Sequence, residues 1–111
     1  MSDDFDVYVD HAFYRNGGKA VLVKFSASIV ELNVFVSIAD AGAVINFGGR
    51  AIDYVLAGES ANSPVHWKRG EDSGVYILIG EDPEVWDFSI VVDDKLIERV
   101  ALEIQGLIGD S

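Results

Sequence analysis

Period-two alternation of apolar and polar side chains dominates this chain as far as Val92, and only then does the apolar spacing change to three and four. Successive side chains of a strand point to opposite faces, whereas helical residues three and four apart share one face. The order of the two periods therefore prescribes a run of antiparallel strands followed by one helix. An amphipathic helix after such a run must lie across a sheet, which predicts an α+β fold. The expected form is an antiparallel sheet of about five or six strands with one C-terminal amphipathic helix packed on one face.

The strands read off in turn. Phe5, Val7, Val9, His11 and Phe13 share one face of the first, and Asn16-Gly17-Gly18 supplies a hairpin turn. From Ala20 to Ile38 the apolar phase flips near Ile29-Val30. That flip fits a bulge in one long bent strand, the preferred reading, or a tight turn around Ser26-Ala27-Ser28. Asp40-Ala41-Gly42 is expected to turn the chain into a short strand over 43–47. Residues 51–57 fit strand and helix equally, and 58–69, with Asn62-Ser63-Pro64, reads as the longest loop. Val75 to Ile79 is an uninterrupted apolar run, expected to be covered on both faces and to form a hairpin with 85–92. Leu96, Ile97, Val100, Ala101, Ile104, Leu107 and Ile108 then draw the helical stripe. Asp93 or Asp94 is placed to cap it, and Gly109 to stop it.

Length and composition narrow the classes. The 111 residues, half of them apolar, make one ordinary domain spanning 1–111. There is no Cys, so disulfides and thiolate metal sites are excluded. The acidic start Met1-Ser2-Asp3-Asp4 is unlike a signal peptide, and the apolar-rich stretch 20–38 is too interrupted by polar residues to span a membrane. A cytoplasmic location is the expectation. Eight scattered Lys and Arg residues argue against direct nucleic-acid binding. Catalytic and cofactor motifs are missing as well: there is no Thr, no Gly-x-Ser-x-Gly, no His-Glu-x-x-His and no phosphate-binding glycine loop. Neither an enzyme nor a cofactor is expected.

What remains is charge. Gly70 to Asp94 holds eight acidic residues (Glu71, Asp72, Glu81, Asp82, Glu84, Asp87, Asp93, Asp94) and no Lys or Arg, in a chain of net charge -11. Gathered like charges repel one another, and they also speed encounter with a cationic surface. Solvated surface is the plain reading of such a run. A basic protein partner is the functional one, and it takes Glu71, Asp72, Glu81, Asp82 and Glu84 as contacts. Trp67, between polar neighbours in the expected loop, is read as an exposed aromatic anchor beside them. Trp86, in step with Phe88 and Ile90, is read as core.

Small size, strong acidity and the lack of catalytic motifs, cysteine and export signal together resemble the bacterial immunity proteins that neutralise toxin domains of competing cells. The likeness is one of general character and assigns no residue a role. It implies steric and electrostatic blocking of a nuclease-like toxin, encoded nearby, by carboxylates seated in its cationic groove. Two other readings stand beside it. One is a small-ligand-binding or enzymatic domain with a pocket between helix and sheet lined by Tyr8, Tyr14, Tyr54 and His11. The other is a homodimeric structural module paired through an edge strand or an apolar sheet face.

Overall fold

The computed structural model describes residues 5–14, 16–70, 74–82, 84 and 86–109. Seven strands form one antiparallel sheet in sequence order: β1 (Asp6–Phe13), β2 (Lys19–Ser26), β3 (Glu31–Ser37), β4 (Tyr54–Ser60), β5 (Ser63–Arg69), β6 (Gly74–Ile79) and β7 (Phe88–Asp93). Helix α1 (Ile38–Gly48) follows β3, and α2 (Asp94–Gly109) follows β7. The α+β class and the C-terminal helix are as the alternation prescribes, with seven strands in place of the five or six expected and a second, short helix from the middle of the chain. Both helices pack on the same side, over a core that includes Val21, Val23, Phe25, Val34, Val36, Phe47, Trp67, Ile77, Ile97 and Ile104. Among the described residues, the other side of the sheet carries no helix.

The middle of the chain departs from the sequence expectation in three places, each for a local reason, and resolves residues 51–57, open between strand and helix, in favour of a strand from Tyr54 onward. The bend near Ile29 is a turn instead: β2 ends at Ser26, Ala27 N donates to the Val30 carbonyl at 2.8 Å, and β3 runs back. The strand expected over 43–47 is the second half of α1. Ser37 caps that helix by accepting from the Asp40 amide at 3.1 Å, and Ala41, Val44 and Phe47 fall on its buried face. The apolar run was too short to separate the two periods. Residues 51–57 divide into a connection and the start of β4. The long loop over 58–69 is a hairpin, because Ala61 (φ 50°) and Asn62 (φ 69°) make a two-residue turn in the left-handed region without any glycine to signal it.

Two close approaches hold the layers. A Cβ at Gly48 would stand 2.5 Å from the Ala101 Cβ and 3.0 Å from the Ile97 carbonyl, so only glycine lets α1 lie this near α2. At Gly58 (φ 86°) it would stand 2.8 Å from the Phe35 carbonyl, at the bulge in β4 between Leu56 and Glu59. Phe35 and Glu59 are the single registered pair joining β3 to β4. The sheet is thus two meanders, β1–β3 and β4–β7, each followed by its own helix and joined by a narrow seam.

Candidate protein-binding face

The tryptophans exchange the places expected of them. Trp67 belongs to the core: odd-numbered residues of β5 face the helices, and its ring lies fully buried between Phe25 and Phe47, with centroids at 6.1 and 6.4 Å. Its indole N–H donates to the Ala57 carbonyl at 2.9 Å, which satisfies the one polar atom the burial would otherwise strand. The expectation of an exposed anchor at Trp67 is overturned by the same alternation, Val65-Trp67-Arg69, that makes β5 a strand. Trp86 precedes β7, escapes its alternation and is 47 % exposed.

On the helix-free side, β4–β7 bring side chains into two rows across the strands. Tyr54, Lys68, Tyr76 and Val91 are successive partners in one; Leu56, His66, Leu78 and Ser89 form the other. With strands ~4.8 Å apart, each row crosses roughly 14 Å. Leu56 (55 %), Val91 (51 %), Tyr54 and Tyr76 (42 % each) are exposed although apolar or aromatic. β6 was expected to be covered on both faces; Leu78 is indeed buried, whereas Tyr76 opens to solvent. Lys68 is the sole basic side chain on this face among the described residues.

The face runs into the acidic turn through a buried histidine. The Tyr54 ring stacks on His66 at 5.9 Å, and its hydroxyl meets His66 Nδ1 at 2.6 Å. His66 Nε2 donates to the Gly80 carbonyl at 3.0 Å, which leaves Nδ1 to accept the tyrosine proton in the neutral ring. Gly80 N also donates to the Pro64 carbonyl at 3.1 Å, and Asp87 N to Ile79 at 2.8 Å, so both ends of the turn are fixed to the sheet. Within it Glu81, Asp82 and Glu84 are exposed, and the Glu84 amide donates to Asp82 Oδ1 at 2.8 Å. The three predicted carboxylates thus stand together, with Trp86 beside them in place of Trp67. Glu71 and Asp72 lie outside the described residues.

Two of the chain's few basic groups are spent inside it. Arg50 and Arg69 both pair with Asp94, which is only 4 % exposed, at the start of α2. Arg69 also donates to the Phe47 carbonyl at 2.5 Å and lies over the Phe47 ring at 4.8 Å. Of the two candidate caps, Asp93 accepts from the Lys95 amide at 2.9 Å, while Asp94 turns inward. Arg50 holds a left-handed backbone (φ 67°) after α1, a position that favours glycine, and its guanidinium supplies the ion pair glycine could not. The Arg69 pair takes one positive charge off the surface, and Asp94 engages the exposed Arg50 as well.

The helix-and-sheet pocket does not assemble. Tyr8, Tyr14 and Tyr54 lie on the helix-free side, and His11 on the other, where it lines a cleft of about 350 Å³ with Leu107 and Ile108. Among the described residues no three His, Asp or Glu side chains are grouped so as to hold a metal ion, and no helix is long and apolar enough to cross a membrane. No family model, curated protein or solved structure matches the chain.

Proposed function

We propose that this chain is an acidic protein-binding inhibitor that docks a basic partner on the bare face of β4–β7 and the turn beside it. The observation that carries the reading is that β4, β6 and β7 expose Tyr54, Leu56, Tyr76 and Val91 on one face, with no helix or strand among the described residues over them. Clustered exposed apolar groups with a polar rim mark interaction sites, and tyrosine is favoured at interfaces. Charge selects the partner's class. Glu81, Asp82 and Glu84 adjoin this face within a chain of net charge -11, which favours a cationic protein and opposes a second copy of itself. A nuclease-like toxin encoded beside it fits best: the carboxylates would fill the groove where such an enzyme holds phosphates, while the apolar rows seal the contact.

Co-expression with the neighbouring gene product tests this. Cells should survive the toxic protein only when this chain is present. Replacing Glu81, Asp82 and Glu84 with Ser should slow association and flatten its salt dependence without unfolding the domain. Survival indifferent to this chain, together with unchanged association of the triple variant, would return the acidic turn to solvated surface.

A further inference from the structure

The sheet has two edges, and they are finished differently. At β1 the Val7 and His11 amides donate to the carboxylates of Asp6 (3.0 Å) and Asp10 (2.7 Å), so two N–H groups of that edge are already occupied. β7 forms the other edge. Its six residues, Phe88 to Asp93, contain no Lys and no Pro and run without a bulge in register with β6. Those three features are the usual means by which an edge strand avoids pairing with a further chain. Apolar side chains flank it on both sides of the sheet, since Val91 is exposed on the bare face and Phe88, 41 % exposed, on the helix face.

Charge decides what fits there. Asp87 and Asp93 bracket β7, and the turn before it adds Glu81, Asp82 and Glu84. A second copy pairing through a two-fold axis would bring each Asp93 toward the other copy's Asp87 and join two chains of net charge -11. An extended segment that alternates Lys or Arg with apolar residues meets neither penalty. Its backbone completes the β7 ladder, its cations stand on the bare face in line with Asp93, which shares that face with Val91, and its apolar side chains fall on the helix side beside the exposed Phe88. The geometry points to β7 as the place where a basic, extended segment of the partner adds as a further strand of the sheet. This rests on the basic-partner reading above and adds the mode of docking.

A synthetic peptide alternating lysine with valine, and the same peptide N-methylated at alternate amides, can be titrated into the intact protein while amide exchange is followed by NMR. The unmodified peptide should slow exchange in β7 by about tenfold or more, with β1 unchanged. The N-methylated peptide keeps the charge but loses the donors, and should bind at least about tenfold more weakly. Val91→Lys, a change at an exposed position that guards the edge, should weaken the unmodified peptide by a similar factor. Equal binding of the two peptides with β7 exchange unaltered overturns strand addition and leaves the basic-partner reading standing. Binding by neither peptide overturns both. A dimer in sedimentation whose β7 amides are protected without peptide makes a second copy the occupant and overturns the proposal.

Discussion

The two meanders are built alike and finished differently. In β1–β3 polar side chains of the bare side pair with one another, although the Tyr8 ring stays exposed: its hydroxyl donates to Asp10 at 2.7 Å, and Lys24 pairs with Glu31 at 3.2 Å. In β4–β7 the same side carries exposed tyrosines and aliphatics, one lysine and a neighbouring turn of carboxylates. Helices cover the opposite side of both. The core therefore places no special demand on the second meander's outer face, and what is exposed there reflects something other than folding. Exposed apolar side chains and uncompensated like charges each work against a solitary soluble domain, so their coincidence on one half is the basis for assigning the partner to that half.

Substitutions can break or sharpen this contrast, beginning with the largest effect. Trp67→Ala removes the ring that packs on Phe25 from the first meander and on Phe47 from α1. It should cost about 3–5 kcal/mol, read as a large fall in the denaturation midpoint. A small loss would mean that the halves are not welded through that ring. Asp94→Ala leaves the Arg69 guanidinium, 13 % exposed, without its carboxylate and should cost ~3 kcal/mol or more. Arg50 is 59 % exposed and would contribute little to that figure. On the bare face the expectation reverses. Leu56→Ser and Val91→Ser should each change stability by no more than about 0.5 kcal/mol, yet together weaken partner binding at least about tenfold. A marked loss of stability would show that this face is structural.

The smallest effect belongs to the first meander. The Tyr8 hydroxyl, then the His11 amide, holds the Asp10 carboxyl below its ordinary value of 3.8. A depressed carboxylate stabilises the fold above the unfolded value, and that contribution is lost as pH falls through the lowered folded one. Tyr8, held above 10.0 chiefly by the same hydrogen bond, contributes below that pH and loses its share as pH rises through the raised value. Both groups are open to solvent, so the readout is titration rather than melting. Tyr8→Phe should move the Asp10 midpoint back up toward 3.8 in an NMR pH series, with partner binding unaffected.

The legible parts of this fold are those where one face is buried and the other wet. β1, the β6–β7 hairpin and α2 announce themselves through long, uninterrupted periods. The middle did not, because its signals are geometric rather than compositional. Ala61-Asn62 turns without glycine, Pro64 sits at the start of a strand where loops were expected, and α1 has an apolar run that suits either period. The acidic turn was visible as a count of charges. The apolar rows were not, since an exposed Tyr76 and a buried Leu78 read identically until the layer above them is known. Trp67 and Trp86 mislead for one reason: the polarity or phase of its neighbours places a side chain only once the strand boundaries are known.

Three tyrosines offer the most direct trial of the central claim, because all are exposed in the free protein: Tyr8 on the first meander, Tyr54 and Tyr76 on the second. Their reactivity in radical footprinting can be compared with and without the bound basic partner. Tyr54 and Tyr76 should be protected while Tyr8 remains as reactive as before. Protection of Tyr8 alone, or of none of the three in a complex shown to form, would contradict the assignment of the partner to β4–β7.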